Sequence, residues 1–235
     1  MPNRLNAFGQ PIGADVAGWV SRPRPPKVAL TGTWAQVVPL DCDLHLDDLF
    51  AAFQADETGQ MWTYMPNGPF ETNEALREFL TQAQTSTDPL FHAIIDNASG
   101  RALGFASYLR IDPAVGVIEV GFIAMSPLLQ KTRAATEAMY LMMAHVFDDL
   151  GYRRYEWKCD NLNGPSKKAA RRFGFTYDGM FPQATIYKGR NRDTAWFSVL
   201  DKDWEDIRAG FQAWLAPTNF DADGMQKAPL VTRAV

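Results

Sequence analysis

Near its middle the chain reads Val115-Gly-Val-Ile-Glu-Val-Gly-Phe-Ile-Ala-Met125, an apolar run with a single ionisable residue, Glu119. Strand alternation puts Val120 and Phe122 on one face and Glu119 and Gly121 on the other. Burial of a charged carboxylate in an apolar strand is unfavourable in free energy unless the group is paired with a cation or hydrated. Such a residue therefore usually lines a cleft or meets a cation. A solvent-facing or salt-bridged glutamate is the alternative.

A strand-to-helix turn follows directly, with the sequence Ser126-Pro-Leu-Leu-Gln-Lys-Thr-Arg-Ala-Ala-Thr-Glu137. The first amides of a helix have no partner within the helix, and the helix dipole favours an anion at that end. Lys131 and Arg133 add positive charge, so the turn suits a phosphate or pyrophosphate. An ordinary capped helix start with solvated side chains is the alternative.

A second junction of the same kind reads Asp160-Asn-Leu-Asn-Gly-Pro-Ser-Lys-Lys-Ala-Ala-Arg-Arg-Phe-Gly-Phe175. Asn163 and Ser166 lie at its mouth, and four basic residues follow along the predicted helix. Those basic residues could meet a second phosphate. They could equally form a solvated helix face.

Apolar periodicity predicts strands and helices around these segments. Period-two alternation predicts strands at 28–40, 91–96, 102–111, 115–125, 154–159, 175–187 and 194–200. The helical period predicts helices at 44–54, 72–83, 134–150, 165–174 and 203–215. This order favours a single α+β domain with mostly antiparallel strands at 28–216. Residues 1–27, with five prolines, are predicted to be an extended N-terminal arm, and residues 217–235 a C-terminal tail.

Composition excludes several classes of protein. A chain of 235 residues with 46% apolar content has enough core to fold without disulfides or a structural metal, and Cys42 and Cys159 belong to no metal-ligand pattern. A net charge of −4 argues against nucleic-acid binding. No apolar run reaches the roughly 18–20 residues that cross a bilayer, and residues 1–20 lack a signal-peptide pattern. We therefore expect a cytoplasmic protein with no metal, nucleic-acid or membrane partner.

Candidate substrate contacts come from a loop and a histidine. The stretch Met61-Trp-Thr-Tyr-Met-Pro-Asn-Gly-Pro-Phe70 is aromatic and rich in turn residues, so Trp62 and Tyr64 either face a substrate cleft or pack on the core. His92 lies in a predicted strand near that cleft, whereas the other two histidines are expected in the core or on the surface. Walker, GxGxxG, HExxH and GxSxG motifs are absent from the sequence.

Taken together, these segments resemble the GCN5-related N-acetyltransferase (GNAT) superfamily, and more closely its ribosomal-protein N-terminal acetyltransferase-like (RimJ/RimL-type) branch. The resemblance covers roughly residues 34–204. It is carried by Glu119-Val-Gly-Phe122, by Gln130 to Ala138, by Asn163-Gly-Pro-Ser166 and by Lys188-Gly-Arg-Asn-Arg-Asp-Thr194. It implies a single GNAT-like domain with a mixed, mostly antiparallel sheet, a splayed strand pair and helices on both faces.

The resemblance also implies a reaction, the transfer of an acetyl group from acetyl-CoA to a primary amine of a small molecule or a protein N-terminus, by direct attack in a ternary complex. Glu119 matches the position that deprotonates the amine, and Ser166 lies where the branch places a hydroxyl near the departing thiolate. Residues implied to bind acetyl-CoA are Phe122, Ile123, Ala124, Met125, Gln130, Lys131, Thr132, Arg133, Ala134, Ala135, Thr136, Asn163 and Lys167.

Two departures from the family pattern keep other functions open. Arg133 stands where the family loop has its central glycine, so its side chain either grips phosphate or blocks it. The common tyrosine acid would fall at Ala170. A non-catalytic acyl-CoA-binding module is therefore the second hypothesis, and a structural domain that has lost the cofactor is the third. The terminal arms are also compatible with a homodimer.

Overall fold

The computed structural model describes residues 4–232, which form one central sheet covered by helices. A small hairpin pairs β1 (Arg4–Leu5) with β2 (Pro11–Ile12). The sheet has the order β3-β4-β5-β6-β7-β8-β10-β9. Its strands are β3 (Leu30–Thr31), β4 (Ala35–Pro39), β5 (Leu90–Asp96), β6 (Arg101–Asp112), β7 (Val117–Met125), β8 (Arg154–Asp160), β9 (Thr176–Tyr187) and β10 (Arg190–Leu200).

Five α-helices connect and flank the strands. They are α1 (Cys42–Phe53), α2 (Asn73–Thr85), α3 (Arg133–Ala144), α4 (Gly164–Arg172) and α5 (Asp201–Leu215). Side-chain oxygens of Thr72, Thr132 and Asn163 accept hydrogen bonds from the first turns of α2, α3 and α4. Such N-caps satisfy amides that have no partner inside the helix, so the polar residues that precede these helices decide where each begins.

Neighbouring strands are antiparallel except for β7 and β8, which run parallel. Their pairing ends at Val120 and Trp157, although β7 continues to Met125 and β8 to Asp160. The two strands therefore separate at their carboxyl ends and leave a gap in the sheet.

Apolar side chains fill both faces of the sheet. On one face α1 and α2 pack Leu49 and Leu80 against Phe105 of β6. On the other face α3 and α5 pack Met139 and Phe211 into the larger cluster. The predicted α+β domain, with a mixed sheet and helices on both faces, is confirmed.

Two predicted elements are divided in the structure. The strand predicted at 28–40 is interrupted between β3 and β4, because the Glu137 carboxylate accepts hydrogen bonds from the amides of Thr33, Trp34 and Ala35. The helix predicted at 134–150 leaves α-helical geometry after Ala144 and continues as a π-helical turn, His145–Asp149. Apolar periodicity does not distinguish a divided strand or helix from a continuous one, since the apolar side chains point inward on both sides of the division.

The segment after α5 folds back onto the domain. It begins with a 3-10 turn, Pro217–Asn219, and then buries the ring of Phe220 edge-on against Trp214. Among residues 4–232, no helix combines the length and apolarity that crossing a bilayer requires.

Candidate active site

A cleft of about 1890 Å³ opens where β7 and β8 separate. One wall comes from β7 and the first turn of α3, and the other from β8 and the start of α4. The β9–β10 hairpin and the loop at 56–66 line one end, while tail residues 220–226 line another. The volume exceeds the roughly 300–1,000 Å³ of a typical small-molecule pocket, so the cleft has room for more than one ligand.

The backbone of β7 is bulged at the centre of this cleft. Gly121 pairs with Ser107 and Ala124 pairs with Phe105, so Phe122 and Ile123 together oppose one residue of β6. Phe122 adopts a left-handed conformation with φ 48°. A bulge interrupts the ladder and turns backbone groups out of it. The backbone at 122–123 can therefore offer an amide to a ligand instead of to β6.

Glu119 lies in the cleft wall, two residues before the bulge. Its side chain is 7% exposed, and Oε2 lies 2.7 Å from Lys158 Nζ and 3.1 Å from Arg110 Nε. Burial raises the pKa of Glu119 above its ordinary value, while the charges of Lys158 and Arg110 oppose that rise. A carboxyl with a raised pKa, open to a cleft, has the properties of a general base.

The first turn of α3, farther along the cleft, has backbone amides without a helical partner, and we call it the candidate anion site. Thr132 Oγ1 caps the amide of Ala135, and the first helical hydrogen bond runs from Thr136 N to Thr132 O. The amides of Arg133 and Ala134 precede that bond, so they have no partner in the helix. Lys131 precedes them with φ 63°, in the left-handed region.

Arg172 of α4 reaches the same turn of α3. Its Nη1 donates to Thr136 Oγ1 at 3.2 Å, and its guanidinium lies 4.9 Å from the centre of the Trp214 ring. Burial lowers the pKa of Arg172, and no carboxylate within residues 4–232 forms an ion pair with it. A half-buried guanidinium without a carboxylate favours an incoming anion.

Arg133 lies between two aromatic rings. Its guanidinium carbon is 4.0 Å from the Trp34 ring centre and 4.5 Å from that of Phe220. The backbone around Trp34 is held by hydrogen bonds from its amides to the Glu137 carboxylate. Phe220 belongs to the tail after α5. This aromatic clamp, formed by Trp34 and Phe220, holds the side chain that replaces the family glycine.

The mouth of α4 is organised by internal hydrogen bonds. Asn163 Oδ1 accepts from the amide of Ser166, and Ser166 Oγ accepts from Trp157 Nε1 at 2.9 Å. Lys167 Nζ donates to the carbonyl oxygen of Asn161 at 2.6 Å. Asn163 and Ser166 line the cleft, whereas Lys167 is engaged within its own turn.

Two of the three predicted substrate contacts lie in the core. The 3-10 turn Gln60–Trp62 directs Trp62 inward, where its ring is 2% exposed and meets Phe53 edge-on at 5.0 Å. His92 of the central strand β5 is 1% exposed, and burial lowers its pKa to about 4. Only Tyr64 of the three lines the cleft, where its hydroxyl donates to Leu162 O at 3.2 Å.

Most residues expected to bind acetyl-CoA line the cleft, but not all of them do. Those that line it are Phe122, Ile123, Met125, Gln130, Lys131, Thr132, Arg133, Ala135, Thr136 and Asn163. The side chains of Ala124 and Ala134 are buried in the core, because they face the helix and sheet layers.

Sequence reasoning missed Lys158, Arg110 and Phe220 as residues of this site. Lys158 and Arg110 contact Glu119, and Phe220 borders the first turn of α3. Arg172, which reaches that turn, is one of the four basic residues for which the sequence suggested a phosphate. Alternation along 154–159 does place Lys158 on one face of its strand. Only the pairing of β7 with β8 shows that this face is the one that carries Glu119.

Comparisons with known proteins agree with this architecture. The family profile of the acetyltransferase (GNAT) domain matches residues 37–176. A GCN5-related N-acetyltransferase from Brucella melitensis is 49% identical with a TM-score of 0.90, covering 92% of this chain and 97% of that one. A GNAT-family protein from Chromobacterium violaceum is 40% identical with a TM-score of 0.77, covering 83% and 98% of the two chains.

A more distant structure shares the fold. The microcin C7 self-immunity acetyltransferase, solved in complex with acetyl-CoA and AMP, is 19% identical with a TM-score of 0.65, covering 75% of this chain and 98% of that one. No curated protein matches the chain. The profile match over more than half of the chain, together with the 49% identity to the Brucella protein, shows that this chain belongs to the GNAT acetyltransferase family.

Proposed function

We propose that this protein transfers an acetyl group from acetyl-CoA to a primary amine by direct attack in a ternary complex. One observation carries the proposal. A buried carboxylate, Glu119, a bulged strand at Phe122 and the open first turn of α3 lie along one cleft. The carboxylate suits a base, the bulged strand suits contacts with an acyl carbonyl, and the first turn of α3 suits a pyrophosphate.

The chain offers suitable groups for the nucleotide end of acetyl-CoA. Amides of Arg133 and Ala134 are free of helical partners, and the Arg172 guanidinium beside them forms no ion pair with a carboxylate of residues 4–232. These groups would bind the pyrophosphate. Gln130 Nε2 donates to Met125 O at 2.8 Å and so connects the loop to the end of β7. The microcin C7 self-immunity acetyltransferase, which has this fold, was solved with acetyl-CoA and AMP, and this supports the choice of ligand.

The chemical step follows from these positions. The amine nitrogen attacks the acetyl carbonyl carbon, the carbon–sulfur bond breaks, and the electron pair leaves with the CoA thiolate. An ammonium has no lone pair, so Glu119 takes the proton from the amine before or during attack. Amides at 122–123 would stabilise the carbonyl oxygen as it becomes negative. Ser166, whose hydroxyl can still donate while it accepts from Trp157, would then face the departing thiolate.

Thermal unfolding with and without acetyl-CoA tests the first part of this proposal. Saturation at about 100 times the dissociation constant should add about 2.7 kcal/mol, which is several degrees for a chain of this size. ATP is the control for non-specific anion binding. No shift with acetyl-CoA would contradict the proposal and would favour a structural domain.

Mass spectrometry of an amine panel tests the second part. The panel includes small primary amines and peptides with free N-termini, each incubated with acetyl-CoA and the protein. Acetylated product with stoichiometric free CoA supports acyl transfer, and the reactive class identifies the acceptor. A ligand-induced thermal shift without any product would favour the acyl-CoA-binding module instead.

A further inference from the structure

Lys158 is a buried ammonium held between two carboxylates. Its side chain is 5% exposed, and Nζ lies 2.7 Å from Glu119 Oε2 and 2.7 Å from Glu156 Oε2. The Trp196 ring, directly opposite on β10, covers it with the ring centre 3.8 Å from Nζ. Contacts on these sides leave the ammonium little freedom to move.

The ion pairs continue from Glu156 to the surface. Arg154 Nε lies 2.6 Å from Glu156 Oε1, and Arg154 Nη2 lies 2.5 Å from Asp178 Oδ2 on β9. Alternate residues of β8 thus form a ladder of charges on one face of the sheet. Because Arg154 restrains Glu156, Glu156 in turn restrains Lys158.

The two oxygens of Glu119 have different surroundings. Oε2 receives Lys158 and also the mostly exposed Arg110, whose side chain is 64% exposed. Oε1 makes no hydrogen bond with any residue from 4 to 232, and it lies 3.5 Å from the place that a Cβ on Gly121 would occupy. Gly121 directly precedes the bulge at Phe122. One oxygen is therefore tethered, and the other faces the bulged part of β7.

We propose that Lys158 is the positioning residue of the acyl transfer, holding Glu119 by Oε2 so that the charged Oε1 faces the acceptor amine. This inference rests on the proposed function, because it assigns Glu119 the proton. Lys158 touches neither the substrate nor the reacting atoms in this role. Arg110 is the exposed counter-ion of Glu119, whereas Lys158 is buried beside it.

The charges around Glu119 decide the direction of the effect. Lys158 and Arg110 favour the carboxylate form, whereas burial and the Glu156 charge favour the protonated form. When Lys158 is removed, only Arg110 still opposes the rise in the Glu119 pKa that burial and the Glu156 charge cause. The acid limb of the kcat profile should then move to higher pH, because Glu119 accepts a proton only when it is ionised.

Two variants and a control test this role. Lys158→Met removes the ammonium, and Glu156→Gln removes the second carboxylate while keeping its size. Lys202→Met on the exposed start of α5 is the matched control. In each protein, the glutamate carboxyl carbons are labelled with ¹³C and titrated by NMR, with the Glu119 signal assigned by Glu119→Gln. The kcat for the best amine of the panel is measured over the same pH range.

Lys158→Met should raise the NMR midpoint of Glu119 and lower kcat at pH 7 about tenfold or more, with most of the loss recovered at high pH. Glu156→Gln should move the midpoint to lower pH, and it keeps the test decisive if Lys158→Met does not fold. Unmoved midpoints, or a kcat loss that is equal at every pH, would overturn the proposal. If the Glu119 midpoint moves as expected in the variants but the protein acetylates no amine, the proposed function is overturned. The interaction of Lys158 with Glu119 would still be established.

Discussion

Glu119 illustrates how neighbours decide the chemistry of one residue. Within its own strand it is an isolated carboxylate in an apolar run, which would favour the protonated acid. Burial raises the pKa of Glu119, and Lys158 and Arg110, which supply positive charge to one of its oxygens, oppose that rise. A raised pKa then brings the group closer to the pH at which a base is most effective.

Glu119→Gln should lower kcat by about 10² to 10⁴, because an amide cannot take a proton from the amine. The dissociation constant for acetyl-CoA should stay within about twofold, since Glu119 is separate from the candidate anion site at α3. Steady-state kinetics and isothermal titration calorimetry measure the two quantities. Glu205→Gln, on the exposed face of α5, is the control. An unchanged kcat at neutral pH would remove Glu119 from the mechanism.

Among the elements, the tail after α5 has a direct connection to the candidate anion site. Phe220 and Trp34 clamp Arg133, and tail residues 223–226 line the same cleft. The two rings hold the Arg133 guanidinium at the side of the first turn of α3, and we expect this hold to keep the side chain off the free amides of that turn.

Phe220→Ala should raise the dissociation constant for acetyl-CoA about tenfold, because Arg133 loses one of its two rings and becomes free to cover the helix amides. Calorimetric titration measures the change, and Val231→Ala is the control in the exposed tail. Adding Arg133→Gly to Phe220→Ala should restore binding. If the double variant binds as poorly as the single one, the tail acts by its own contacts rather than through Arg133.

The β9–β10 hairpin is joined to the loop at 61–70 by hydrogen bonds. Lys188 Nζ donates to Trp62 O at 3.0 Å and to Gly68 O at 2.6 Å, and Arg190 Nη2 donates to Thr63 O at 2.6 Å. These bonds tie two elements that border the cleft. The loop is thus held against the hairpin by its own carbonyl groups rather than by its aromatic side chains.

Lys188→Met should raise the KM for the acceptor amine about tenfold, because loss of both hydrogen bonds releases the loop from the hairpin. Acetyl-CoA affinity should be unchanged, since the loop lies away from α3. Initial-rate kinetics with each substrate varied in turn separate the two effects, with Lys202→Met as the control. A parallel loss of acetyl-CoA affinity would show that the loop affects the whole cleft.

At the scale of the whole molecule, apolar clusters cover both faces of the sheet. Helices α1 and α2 pack on one face and α3 and α5 on the other, and only the larger cluster contains residues of both β7 and β8, the strands that border the gap. The gap lies beside the bulge of β7, where the regular ladder with β6 is interrupted. His92, whose buried ring meets Tyr108 of the larger cluster edge-on, is expected to make the stability of the protein depend on pH.

His92 should make the protein less stable in acid. Its folded pKa of about 4 lies below the unfolded value of 6.5, so protons bind the unfolded chain first as the pH falls. Stability is therefore present above pH 6.5 and is lost between about pH 6.5 and 4. From pH 7 to 5 the loss from this one group is about 2 kcal/mol.

Urea unfolding at pH 7 and pH 5 measures this loss, with His92→Leu as the variant that removes the titrating group. The free energy of unfolding of the variant should fall by about 2 kcal/mol less between the two pH values than that of the wild type. His45→Leu, a second histidine with a lowered pKa and less complete burial, serves as a comparison. Equal losses in wild type and His92→Leu would show that another group carries the acid sensitivity.

The sequence alone determined the family, the α+β fold and the order of its elements. These features follow from local signals, which are the strand and helix periods, the capping residues and the run at 115–125. Local signals of this kind predict whether a segment forms a strand or a helix. The resemblance also led to Glu119, Ser166 and the α3 loop, and their roles stay predictions. The ends of the strands and helices were less well determined by the sequence. For example, β3 and β4 are separated by hydrogen bonds to Glu137, which lies on a helix far along the chain.

Only the tertiary structure decided which side chains share the cleft. Trp62 and His92 turn into the core, while Lys158, Arg172 and Phe220 come to the site from distant parts of the chain. A one-dimensional pattern states which face of its own strand or helix a residue occupies, but not which other element covers that face. From the sequence, Arg133 either grips phosphate or blocks it, and only the packing of Trp34 and the tail shows that its side chain lies between two rings.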